Sequence, residues 1–154
     1  MFVLENLKKL NLSLPEASPV AGNYSGYILH NKILYVSGQT AKESGELIYS
    51  GKVGLDLSLA EGVSAAQVCA LNLLAQVNKA CEGDWDKLEK CLKLSIFVNS
   101  SPDFIDHPKV ANGASDLIVS ALGERGIHSR AAVGVNSLPG NSAVEVEGVF
   151  VLKN

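Results

Sequence analysis

Arg130 stands at the head of a run of small apolar residues, Ala131-Ala132-Val133-Gly134-Val135. A guanidinium entering such a strand is costly unless something pairs with it, and its planar fork is shaped to hold a carboxylate through two parallel hydrogen bonds. Glu145 and Glu147 sit two apart among Val144, Val146 and Val149, so in an extended chain they share one face. Carboxylates in a partly dry setting can accept a proton from water. They could equally form a structural ion pair with Arg130 at a strand end, and spacing alone leaves both readings open.

Other chemistries lack their residues. His30, His107 and His128 lie far apart, with no i, i+4 pair and no neighbouring cysteine, so metal-ligand spacing is absent and no metal is expected. No GxSxG elbow, GxGxxG turn or Walker pattern occurs, which sets aside the common serine hydrolases and phosphate cradles. Cys69, Cys81 and Cys91 are odd in number and have no CxxC spacing. They read as small buried hydrophobes in a reducing, cytoplasmic setting.

The elements that must position Arg130 and the glutamates follow from periodicity. Phe2, Val3, Leu7 and Leu10 have helical spacing, predicting a helix within 1–14 before Leu14-Pro15 and Ser18-Pro19 extend the chain. Tyr24–Leu29 and Ile33–Ser37 read as a hairpin turning at Asn31, and 41–54 as an exposed loop with a short strand at Leu47–Tyr49. Ser58 and Glu61 make a capping box, so a helix starts there; its apolar stripe runs to Ala80, with Gly83 ending it. From Lys90 to Asn99 the period becomes two, with Leu92, Leu94, Ile96 and Val98 on one face. A second helix is predicted from Pro108, ended by Gly123 or Gly126, and two last strands at Ala131–Val135 and Ala143–Leu152. Two long helices among five or six strands imply an α+β layer, a mixed β-sheet with both helices on one face. The other face then needs cover from another copy.

Composition agrees with one domain over residues 1–154. At 47% hydrophobic and 19% charged residues, the chain can build a core and is not disordered. A net charge of −3, with no basic run beyond Lys8-Lys9, argues against a nucleic-acid partner. No apolar stretch approaches the ~20 residues that span a bilayer, so no membrane partner is expected. The apolar excess for so short a chain points to a buried subunit interface.

Several of these residues also form a recognisable set. Ser37-Gly38-Gln39 after a hydrophobic strand, Phe97-Val98 before Asp103-Phe104, and Arg130 to Val135 followed by Leu138-Pro139 and Val144-Glu145-Val146-Glu147 resemble the reactive intermediate deaminase (Rid) family, also called YjgF-like or endoribonuclease L-PSP. The resemblance runs from about Pro19 to Leu152. It implies a chorismate-mutase-like (YjgF-like) fold and a homotrimer whose clefts between subunits hydrolyse enamines or 2-imino acids to 2-oxo acids and ammonia, without a cofactor. Under it, Arg130 clamps the carboxylate of a small-molecule substrate and Glu145 positions the attacking water. Tyr24, thirteen residues before Ser37, lines the cleft, and Asn112 adds a substrate contact. The family names also carry an endoribonuclease or translation-inhibitor reading, and a third possibility is a binder of small carboxylates without turnover. Ala132 stands where the family often has cysteine, so that position carries no essential chemistry here. The long segment between Asp103 and Arg130, the residues around Gly45–Asp56 and the N-terminal helix resemble a longer subgroup of about 150 residues.

Overall fold

The computed structural model describes residues 2–153. After a first helix α1 (Phe2–Lys9), the chain makes the hairpin β1 (Tyr27–His30) and β2 (Ile33–Thr40). Asn31 and Lys32 turn it with φ of 46° and 69°, the two left-handed residues of a type I′ turn. A small separate hairpin follows, β3 (Lys42–Glu43) and β4 (Glu46–Leu47), turning on Ser44 and Gly45. The predicted short strand at Leu47–Tyr49 therefore lies earlier, because this turn fixes the pairing as Lys42 with Leu47.

Helix α2 (Leu59–Ala80) starts at a complete capping box: the Glu61 N–H donates to Ser58 Oγ at 3.2 Å, and the Ser58 N–H donates to Glu61 Oε2 at 2.7 Å. Beyond its C-cap at Cys81, both Glu82 and Gly83 have positive φ, and the Gly83 N–H closes the end by donating to the Asn78 carbonyl at 2.9 Å. Strand β5 (Leu88–Asn99) leads into α3 (His107–Leu122), which carries Pro108 in its first turn and Gly123 at its C-cap. Strands β6 (Ser129–Val135) and β7 (Val144–Leu152) complete the chain.

Five strands form one mixed sheet in the order β1-β2-β7-β5-β6, with only β5 and β6 parallel. Helix α2 packs over β2 and β7, and α3 over β5 and β6, so both long helices cover the same face, as the sequence predicts. Directly paired residues point to one face, so the register sorts the side chains. Leu34, Val36, Leu94, Ile96, Val98, Val146 and Phe150 form the buried side with Leu73, Leu74 and Ile118 of the helices. Gly148 is required where α2 sits down on the sheet, because a Cβ there would press on Leu73, Leu94 and Phe150. The opposite face carries Ile28, Tyr35 and Val133, all largely exposed.

Three local expectations are corrected. Leu92 does not join Leu94 on the inner face: register shifts at Leu88/Lys90 and Cys91/Lys93 bulge β5, turning Cys91 inward and Leu92 out. Tyr24 precedes the hairpin instead of opening it, because pairing with β2 stops at Tyr27 opposite Val36, where β2 itself bulges. The N-terminal helix ends at Lys9, short of residue 14, with Asn11 at φ 57°. Its Val3 and Leu7 are buried, and Asn6 Nδ2 donates to the Ala121 carbonyl at 3.1 Å, docking α1 on α3.

Candidate active site

Arg130 lies in one register row with Leu94 and Gly148, on the side of the sheet that α3 covers. Its Nη1 donates to Asn112 Oδ1 at 2.9 Å and to Ser115 Oγ at 3.1 Å, and its Nη2 donates to the Pro108 carbonyl at 3.2 Å. All three acceptors are neutral. Among the described residues the ion pairs are Lys87 with Glu82 and Lys109 with Asp106, and neither involves Arg130. The structural pairing of Arg130 with Glu145 or Glu147 that the sequence left open is therefore absent. A guanidinium has five donors, so Nε–H and one Nη2–H remain, on adjacent nitrogens that match the two oxygens of a carboxylate.

Behind Arg130 runs a directional chain that sequence reasoning missed. His128 Nδ1 lies 2.6 Å from the Gly126 carbonyl, which can only accept, so Nδ1 carries a proton. In the neutral imidazole, Nε2 then accepts from the Ser115 hydroxyl at 3.0 Å, leaving the Ser115 oxygen free to receive Arg130. No local spacing announces this contact, since Ser115 and His128 meet only after α3 folds back against the start of β6.

Glu145 belongs to the other face. It pairs with Thr40 on β2 and Phe97 on β5, and Phe97 pairs with Val133, so these four share an outward row. Glu145 is half-buried, and its carboxyl is pushed above the ordinary value first by desolvation and then by the charge of Glu147. The β2 bulge between Val36 and Gln39 brings Gly38 against it, and a side chain at 38 would strike the carboxylate oxygen. Ser37 ties down the preceding segment: its N–H donates to the Gly26 carbonyl at 3.0 Å and its Oγ to the Ser25 carbonyl at 2.7 Å. Tyr24, 56% exposed, thus lines a small cavity of about 80 Å³ with Gly26, Gly38, Gln39, Asn72 and Gln76.

The four predicted site residues fall into two groups. Arg130 and Asn112 touch on the helix side; Glu145 lies against Gly38, and Tyr24 lines a cavity that reaches Gly38 from beside Asn72 and Gln76 of α2. Within one chain the sheet separates the guanidinium from the Glu145 carboxylate. The three thiols are buried and free, and burial pushes Cys69 well up, Cys81 to about 11 and Cys91 to about 12, as expected of structural cysteines. Among the described residues no group of three or more His, Cys, Asp or Glu side chains is placed to hold a metal ion. No described helix is long and apolar enough to cross a membrane.

Comparison with known proteins adds a lineage to this geometry. The family described as "YjgF/chorismate mutase-like, putative endoribonuclease" matches residues 5–151. Protein TCP17 of Trypanosoma cruzi is 44% identical over 153 residues, covering 99% of this chain and 95% of TCP17. The crystal structure of Atu1372 from Agrobacterium tumefaciens, a protein of unknown function, superposes with a TM-score of 0.92 at 43% identity, covering 99% of this chain and 93% of that one. A Shewanella oneidensis protein called a "putative endoribonuclease" gives a TM-score of 0.94 at 34% identity, covering 99% and 100%.

Proposed function

Because the chain belongs to the YjgF/chorismate mutase-like family, we propose that it hydrolyses 2-imino acids and their enamine tautomers to 2-oxo acids and ammonia, in clefts between the subunits of a homotrimer. The observation that carries this reading is the state of Arg130, a guanidinium oriented by three neutral acceptors and, among the described residues, neutralised by no carboxylate. It is ready for a ligand's carboxylate. In the reaction, Arg130 holds that carboxylate and Asn112 keeps the guanidinium plane in place. The imine carbon beside it is then presented for attack.

Water adds to the C=N carbon while a carboxylate takes its proton, and the resulting carbinolamine collapses with the proton returned to nitrogen as ammonia leaves. Glu145 suits the first step because its raised pKa brings its basicity nearer to the working pH. Since Glu145 and Arg130 lie on opposite faces of one sheet, the Glu145 that serves a given Arg130 comes from a second copy. Tyr24, which shares a small cavity with Gly38, is assigned to the wall of that cleft. No cofactor enters these steps.

The ribonuclease activity named for relatives calls for a basic stripe along a polyanion, which a chain of net charge −3 does not supply. The shared cleft makes a sharp test. Arg130→Ala and Glu145→Gln should each fall to a few per cent of wild-type activity or less when alone, measured as ammonia release from imino acids generated in situ. Co-expressed as mixed rings, they should recover about a quarter of wild-type activity, because each cleft then has one chance in four of drawing an intact Arg130 and an intact Glu145 from its two neighbours. Absence of ammonia release from the wild type would overturn deamination; impaired variants that gain nothing from mixing, or variants that stay fully active alone, would overturn the shared cleft.

A further inference from the structure

A second cavity, of about 390 Å³, opens at the C-terminal ends of the parallel strands β5 and β6, and neither Arg130 nor Glu145 lines it. Lys52, Ser100, Ser101, His107 and Asn136 are among its polar lining, while Phe104 and Val135 supply apolar wall. The ammonium of Lys52 is held in place: Nζ donates to Asn99 Oδ1 at 2.9 Å and to the Asn136 carbonyl. Asn99 is fully buried, and its amide nitrogen faces the Gly51 carbonyl, Asn141 Oδ1 and the Ser142 carbonyl at 3.4, 3.1 and 3.2 Å. That leaves its oxygen to face the ammonium.

Two of the three ammonium donors are thus used on neutral oxygens. Among the described residues no carboxylate lies within ion-pair distance of Nζ, and Asp56 directs its Oδ2 to the Lys52 backbone N–H at 2.8 Å instead. One positive charge and one donor remain at the cavity. Next to them Ser100 Oγ and His107 Nε2 stand 3.0 Å apart, with the imidazole edge-on to Phe104 at 5.2 Å. Gly134 admits this pair, because a Cβ there would collide with both His107 Nε2 and Ser100 Oγ. A mere latch between Lys52 and Asn99 would need neither the cavity nor a Ser–His pair beneath a glycine.

We propose that this cavity is a second ligand site, taking a small monocarboxylate whose charge meets Lys52 Nζ and the Ser100–His107 pair and whose carbon chain rests on Phe104 and Val135. One uncompensated positive charge balances a monoanion, whereas a dianionic phosphate would leave negative charge unmatched. Gly134 follows Arg130 by four residues on β6, about 13 Å between the two backbone positions at ~3.3 Å per residue, and Arg130, turned to Asn112, Ser115 and Pro108, does not line this cavity. The site is independent of the deaminase reading.

The test follows the His107 imidazole by NMR while the full-length protein, as purified, is titrated with butyrate and, separately, with inorganic phosphate. Saturable butyrate shifts of His107 are expected in the wild type and in Arg130→Ala, with phosphate binding more weakly. Lys52→Met, which keeps the aliphatic stem, should weaken butyrate at least tenfold. Gly134→Ala, which fills the gap over the Ser–His pair, should do the same and carries the test if Lys52→Met fails to fold. Wild-type butyrate affinity in either variant, tighter binding of phosphate, or loss of the His107 shift in Arg130→Ala would overturn the proposal.

Discussion

Replacing Arg130 by lysine asks how much of binding depends on the fork and how much on charge. Arginine spends three of its five donors on Asn112, Ser115 and Pro108 and keeps two for the substrate. Lysine has three donors on one nitrogen: if two replace the internal contacts, a single bond is left for the carboxylate, and if none do, the side chain loses its anchor. Hydrogen bonds to charged groups contribute ~1.5–3 kcal/mol each. Loss of one, with the charge kept, lowers kcat/KM by roughly 10- to 150-fold at 1.4 kcal/mol per decade. Arg130→Ala loses both bonds and the charge, ~2–5 kcal/mol, or roughly 30- to 3,000-fold. The assay is initial-rate ammonia or 2-oxo acid release from imino acids formed in situ, with thermal unfolding run in parallel. Since Arg130 is exposed and its internal bonds are to neutral acceptors, both variants should stay within ~1 kcal/mol of wild-type stability. Wild-type kcat/KM in the alanine variant would refute the clamp, and equal losses for lysine and alanine would refute the separation of fork from charge.

Glu145→Gln should keep ligand affinity and lose about 10²-fold in turnover. Because the wild-type carboxyl is raised by desolvation and then by Glu147, the acid limb of kcat/KM lies above the ordinary glutamate range and moves down in Glu147→Gln; an unmoved limb would contradict that coupling. The same raised pKa has a stability counterpart of known sign: the native state binds the proton more tightly, so the penalty of ionising Glu145 appears as pH rises through the interval between its unfolded and folded values. Light scattering coupled to size exclusion should give about three times the 16.2 kDa chain mass, with an interface of at least ~1,000 Å²; a fully active species at the chain mass would refute the trimer. Ser58→Ala should cost ~1 kcal/mol in urea unfolding by removing the cap of α2. Glu61, held below its usual pKa mainly by the Ser58 backbone hydrogen bond, stabilises the fold at neutral pH, and that contribution is lost as pH falls through its lowered value. An unchanged unfolding midpoint would show that the box is idle.

What could be read from the chain was what depends on neighbours in sequence. The Ser58–Glu61 box, the Pro108 start and Gly123 end of α3, and the pairing of both helices on one face all rest on short-range spacing, and all appear in the fold. The bulges were hidden because a strict period of two puts Leu92 with Leu94, and only the pairing of β5 with β7 shows the slip. Arg130 and Glu145 were singled out individually, yet their separation across the sheet was not, because the turn between β6 and β7 resets which face each residue takes. Ser115, His128, Lys52 and Ser100 carry no signal of their own; they matter through partners 13 to 84 residues away in the chain or through the cavity they line.

The place of β6 at the end of the sheet has a consequence for colloidal behaviour. Among the described residues its outer backbone groups have no strand beside them, and Ser129–Val135 is built of small side chains with no proline, so its backbone is open to pairing with another edge. Arg130 is the one charge in that segment. The side chain assigned to grip substrate is therefore also the only charge on that edge strand, and charge on an edge is one device that opposes edge-to-edge growth.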